Sequence, residues 1–164
     1  MKRRSIIRLA ILFLIIITLQ SCPLAMDYGD AWKVTLENHS NKDLGVYLAQ
    51  GIYSAYPDTV FPADYHDNMV VGVMPYSTDA IFNSGSVKRE RIFKGLPKDT
   101  LSIFIFNMDD LTQNSSWDEL TYGKRFLQRY DMSLEDIKGL GSKVPYPPTE
   151  AMKNMKMYPP YGSR

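Results

Sequence analysis

Cysteine is almost missing from this chain: Cys22 is the single one in 164 residues. One thiol closes no internal disulfide, so the fold has to rest on its apolar core. A structural zinc site, which draws on four ligands and usually on cysteine, has no set to use. Histidine is scarce as well, with only His39 and His66. A serine–histidine–acid triad needs one of these supported by an acid and aimed at a positioned hydroxyl, and no nucleophile elbow accompanies either. No glycine-rich phosphate loop occurs, and nothing in the chain asks for a cofactor. Nineteen basic against eighteen acidic side chains leave no basic patch for nucleic acid. Long apolar runs are lacking too. The longest, Leu9–Leu19, is broken by Thr18 and bounded by Arg8 and Gln20-Ser21, short of the roughly 20 residues a membrane-spanning helix requires.

What that run does fit is export. Lys2, Arg3, Arg4 and Arg8 precede it with no acid among them, the charge-then-apolar order of a secretory signal. Leu19-Gln20-Ser21-Cys22 resembles the lipobox of bacterial lipoproteins, in which a small residue precedes a cysteine that receives a diacylglycerol. Gln20 departs from the usual small residue at its place, a departure that the relaxed motif of the Bacteroidetes tolerates. Acylation explains the leftover thiol, and more than one acyl chain is what stable anchoring takes. Residues 1–21 therefore read as a signal peptide and 22–31 as a tether. The expected location is the cell envelope, lipid-anchored at Cys22, in the outer membrane. Loss of the four basic residues takes the formal net charge from +1 to −3. All eleven tyrosines remain in the exported part.

Residues 32–148 read as one globular domain. Trp32–Glu37 and Leu44–Leu48 alternate apolar and polar residues, the mark of half-buried strands. Turn chemistry between them, Asn38–Asp43, suggests a hairpin with Trp32, Val34, Leu36, Leu44, Val46 and Leu48 facing inward. Short strands follow at Met69–Met74 and Ala80–Phe82. Ser86–Phe93, rich in charge, suits a guarded edge strand. Thr100–Phe106 is the strongest strand, apolar on both faces at Ile103–Phe106, and so central. Ser116-Trp117-Asp118-Glu119 matches a capping box, predicting a helix over 116–122. Phe126–Tyr130 reads as a strand with Phe126, Gln128 and Tyr130 on one face. Ser133 and the acids after it predict a second helix over 134–140. From residue 149 a Pro-, Met- and Lys-rich tail is expected to be flexible. Its Tyr158-Pro159-Pro160 repeats Tyr146-Pro147-Pro148, and such segments favour extended chain. The fold class is mainly β: a small sandwich-like domain with one or two short helices. A two-layer α+β arrangement is the alternative.

Several phrases, namely Tyr56-Pro57-Asp58-Thr59, Asp99–Phe106, Trp117 with Glu119-Leu120, Arg129–Ile137 and Val144–Pro147, resemble a family of small Bacteroidetes cell-envelope lipoproteins. The resemblance covers about residues 32 to 148. It implies a compact, largely β, envelope-facing domain, and it carries no functional residues to transfer.

Candidate sites follow from chemistry alone. Tyr53, Tyr56, Tyr65 and Tyr76 offer aromatic faces with polar tips, a platform on which sugar rings could stack. Asp64, His66 and Asp67 put an imidazole and two carboxylates within four residues, in principle a divalent-ion set, although a solvated loop is the better reading of them. Asp109, Glu119, Asp131 and Glu135 are the acids from which a glycosidase pair would be drawn, with nothing to prefer any two. The expected function is non-enzymatic: an anchored envelope protein that assembles with another component, with the tyrosine–proline tail as its contact segment. Polysaccharide binding is the alternative, and a hydrolase the third reading.

Overall fold

The computed structural model describes residues 31–50, Tyr56, 70–111 and 126–163. Among the described residues eight strands form two sheets. β1 (Lys33–Asn38) is the middle of a three-stranded sheet, between β4 (Thr78–Asn83), antiparallel to it, and β7 (Lys143–Tyr146), parallel to it. The second sheet runs β3 (Val70–Val73), β2 (Leu44–Ala49), β5 (Leu101–Asn107), β6 (Gln128–Met132), β8 (Lys156–Tyr158), antiparallel throughout. Two short α-helices among the described residues, α1 (Arg89–Lys94) and α2 (Leu134–Gly139), join them in a small, mainly β domain.

The inward residues of both sheets meet in one core. Val34 and Leu36 of β1, Ile81 of β4 and Val144 of β7 pack with Leu44, Val46, Ile103, Ile105 and Tyr130 of the larger sheet. Burial of these side chains, worth roughly 25 cal/mol per Å² of apolar area removed from water, is what a chain without disulfides has to draw on. β5 lies centrally, and every residue from Leu101 to Phe106 is buried, as its two apolar faces predict. On its other face Phe104 and Phe106 join Tyr47 and Ala49 in a second apolar cluster, with Phe126 against it.

The inward set of the first two strands is as expected, but their pairing is not. β1 and β2 belong to different sheets. The reason is Asn38, which ends β1 with its side chain buried instead of solvated. Its Nδ2 donates to the carbonyls of Lys42 (2.8 Å) and Met74 (2.8 Å), and its Oδ1 accepts from Ser40 N (2.9 Å) and Ser40 Oγ (2.7 Å). Tied to the β3–β4 turn, the 39–43 connection carries the chain across to the other sheet.

Three further expectations need correction. Ser86–Phe93 contains α1, not an edge strand. Lys88-Arg89-Glu90-Arg91 has no period-two apolar set, whereas Ile92, Phe93 and Leu96 recur at helical spacing, and Phe93 and Leu96 are buried. Phe126 precedes β6 and packs edge-on against Phe104 at 5.8 Å, so it leaves the face that Gln128 and Tyr130 share. The tail expected to be flexible from residue 149 is part of the domain. Met152 is wholly buried, and β8 pairs with β6 from Arg129↔Tyr158 to Asp131↔Lys156. The domain boundary therefore lies beyond residue 148. β7, unforeseen because it contains Pro145, tolerates that proline as an edge strand.

The second helix is as expected, with Ser133 and Asp136 forming a reciprocal capping box. The helix expected at 116–122 lies outside the described residues.

Candidate functional site

The strand directions give the domain two poles. The described chain enters β1 at Trp32, whose indole Nε1 donates to Ser142 Oγ (2.8 Å) and whose backbone N donates to Ser84 Oγ (3.0 Å). Trp32 also packs against Phe82 and Phe93, at 5.7 and 6.1 Å between ring centroids. At the opposite end of β1, Asn38 is level with Tyr146 of β7, and His39 N donates to Tyr146 O (2.7 Å). Leu44 begins β2 there, opposite Val73 on one side and Asn107 on the other. Gln128 opens β6 opposite Ile105, and Tyr158 closes β8 opposite Arg129. The near pole is thus marked by Trp32, Ser84 and Ser142, the far pole by Asn38, Tyr146, Gln128 and Tyr158.

Both Tyr-Pro-Pro segments leave their sheets at the far pole, one from the end of β7 and one from the end of β8. Both Tyr–Pro bonds are cis. Between them lies a groove of about 240 Å³, lined by the four prolines together with Gln128, Tyr161, Gly162 and Ser163. Tyr146 is buried in the core, while Tyr158 is 43% exposed and rests edge-on against Phe126 at 5.7 Å. Tyr130 Oη donates to Pro145 O (3.0 Å), bonding the larger sheet to the strand that carries the first repeat.

Gln128 is 2% exposed, one of three buried polar residues among those described. Its Nε2 donates to Pro159 O (2.8 Å), holding the second repeat in place. A carbonyl partner can only accept, so the amide orientation follows from the contact. No group among the described residues donates to its Oε1. The rest of the groove wall is hydrogen-bonded internally. Tyr161 Oη donates to Glu150 Oε2 (3.1 Å), and Ser163 donates from both N and Oγ to Pro160 O (3.2 and 2.7 Å). Lys153 Nζ, 2.7 Å from Glu150 Oε1, holds the Glu150 carboxyl below the usual range, aided by the Tyr161 hydroxyl; the same hydroxyl's bond to Glu150 pushes the Tyr161 phenol up. Phenol and carboxylate thus each favour the form of the other that keeps this hydrogen bond.

The sequence candidates are distributed differently. Tyr76 stands on the β3–β4 turn at the far pole, 74% exposed, in the left-handed region (φ 54°), with its N–H donating to Ser40 O (3.2 Å). Tyr56 lies at the other end of the strands. Lys156 is 4.5 Å from its ring centroid and contacts its hydroxyl, and Lys98 is 6.0 Å away. The two described tyrosines of the sugar platform are therefore not brought together. Tyr53 and Tyr65 lie outside the described residues, as do Asp64, His66, Asp67 and Cys22. Among the described residues no cluster of three or more His, Cys, Asp or Glu forms.

The acids considered for hydrolysis are scattered. Asp131 accepts from Ser102 Oγ (2.6 Å) and Arg129 Nε (2.8 Å) on the outer face of the larger sheet. Asp109 sits in the tight turn after β5, and Glu135 in the first turn of α2. Glu119 lies outside the described residues. Of the groove, the sequence announced the repeated Tyr-Pro-Pro and the face that Gln128 shares with Tyr130, but not that they meet. No protein-family model matches the chain, and neither a curated protein nor a solved structure is similar to it.

Proposed function

We propose that this is an exported envelope protein, lipid-anchored at Cys22, that works by binding an envelope partner and not by catalysis. The lone cysteine directly behind the apolar run supports the anchor. The observation that carries the binding role is the polarity of the domain. The tether joins at the near pole through Trp32, and the Tyr-Pro-Pro groove opens at the far one. At roughly 3.3 Å per residue, β1 alone sets the two poles about 20 Å apart, so an anchored copy would hold its groove clear of the membrane surface. The outer membrane is the location we favour, in line with the resemblance to Bacteroidetes envelope lipoproteins. Polysaccharide binding draws less support, because a sugar platform needs several tyrosines on one face.

The anchor is tested by Cys22→Ser in cells fed labelled palmitate. The variant is expected to lose the label and to move from the membrane to the soluble fraction. Label retained by the serine variant would overturn the anchor.

A further inference from the structure

We infer that β3 pairs edge to edge with the β3 of a second copy, antiparallel about Gly72, so that this edge of the larger sheet is a self-association surface. The inference goes beyond the binding role proposed above and does not rest on it. Four strands form sheet edges among the described residues: β4, β7, β3 and β8. Three of them carry features that discourage a further strand. β4 holds Asp79 and an irregular register beside Val34/Thr35, β7 contains Pro145, and β8 is three residues long with Lys156 at its start. β3, Val70-Val71-Gly72-Val73, has no charge, no proline and no break in its register with β2. No strand lies beyond it among the described residues.

The ladder fixes which backbone groups point outward. Met108 N donates to Asp43 O (2.9 Å), so Asp43, Gly45 and Tyr47 turn their groups to β5, and Leu44 and Val46 turn theirs to β3. Val73 and Val71, opposite Leu44 and Val46, bond inward, which leaves Val70, Gly72 and Met74 facing out. Among the described residues nothing bonds the Gly72 N–H, the Gly72 C=O or the Met74 N–H. Met74 O is already taken by Asn38 Nδ2 and Ser77 Oγ. A two-fold axis through Gly72, perpendicular to the sheet, matches this set with itself. The two Gly72 residues exchange a pair of hydrogen bonds, and each Met74 N–H donates to the Val70 carbonyl of the other copy. The side chains agree as well. Residues directly opposite share a face, and this register sets Val71 against Val73, both on the core side, and Val70 against Met74 on the other. A slip of one residue would oppose core-facing to outward side chains. No charges meet, and Met74, 69% exposed in the single copy, gains an apolar neighbour. The axis reverses strand direction, so the two grooves lie at opposite ends of the pair. Nine residues, Pro23 to Ala31, separate Cys22 from Trp32. At ~3.3–3.6 Å each they reach about 30 Å, beyond the ~20 Å between the poles, so both copies can keep their lipids in one bilayer.

The experiment follows the protein mass of the full chain in detergent by density-matched sedimentation over rising concentration. A pairing over Val70–Met74 alone belongs with weak, reversible contacts, so a monomer–dimer equilibrium is expected. Exchange of the Gly72 amide with deuterium should slow as the dimer forms, and that of the Val87 amide should not. Met74→Lys puts on an exposed side chain the charge that this edge lacks, and it should weaken pairing about tenfold or more. Val87→Lys, near the chain's point of entry, should leave pairing unchanged. Should Met74→Lys fail to fold, amide exchange on the unaltered chain still decides. The mass of one copy at every concentration, a dimer indifferent to Met74→Lys, or Gly72 exchange independent of concentration would each overturn the inference. A partner of different sequence adding to this edge would leave the purified chain monomeric, and so counts against it too. None of these outcomes bears on palmitate labelling at Cys22, so the edge and the anchor fail separately.

Discussion

Asn38 stands where the alternation of β1 leads one to expect a third inward apolar side chain after Val34 and Leu36. Its amide joins three backbone segments: its own 39–43 connection, the end of β3 and the exposed Met74–Tyr76 turn. Removing it would leave the buried Val73 carbonyl and the part-buried contacts to Lys42 and Met74 without this donor. Asn38→Ala should therefore cost on the order of 3 kcal/mol in urea unfolding, and a loss below about 1 kcal/mol would show that the network is dispensable. At this scale the sequence was half legible. Asn38-His39-Ser40-Asn41 announces a turn by its chemistry, and a turn is there. Whether such an asparagine faces water or the core depends on which carbonyls tertiary contacts bring to it, and Met74 is 36 positions away. Gln128 is a parallel case. Its inward side follows from alternation with Tyr130, but its partner, Pro159, lies 31 positions on.

At the scale of elements, β8 is the instructive one. Three residues, Lys156-Met157-Tyr158, close the edge of the larger sheet, and Tyr158 covers Phe126. Deleting residues 156–164 should lower the melting temperature and open the β6 edge, a template for intermolecular pairing. Light scattering should then rise with protein concentration, whereas an unchanged melting curve would mean that the segment is merely appended. Composition misleads here because proline-rich chain does favour extension, and an extended segment beside an open sheet edge becomes a strand. Elements whose signal is local were legible: central β5 from its two apolar faces, α2 from Ser133 and the acids of its first turn. Elements that depend on a distant neighbour, such as β7 on β1 and β8 on β6, were not. α1 was misread because a charged stretch says little about period until Phe93 and Leu96 are seen to share one face.

For the whole molecule the distribution of exposed apolar residues is polar in the geometric sense. Four large ones are more than two-fifths exposed among the described residues. Three of them, Met74, Tyr76 and Tyr158, lie at the far pole with the groove, and only Val87 lies near the chain's point of entry. An interaction surface concentrates such residues. A photo-crosslinking amino acid at position 76, introduced in intact cells, should therefore give one defined adduct identifiable by mass spectrometry, and the same group at position 87 should give none. Equal labelling from both positions would argue against a far-pole interface.

The central place of β1 has a mechanical consequence. Flanked on both sides, antiparallel to β4 and parallel to β7, this strand would receive any tug transmitted through the leash, with the Trp32 clasp fixing where the force is introduced. Were cargo held at the proline end, the pull would run lengthwise and strain both hydrogen-bond ladders together in shear, instead of unzipping them rung by rung. A domain slung between a bilayer and its load in this way would resist rupture best along the direction in which it is stretched.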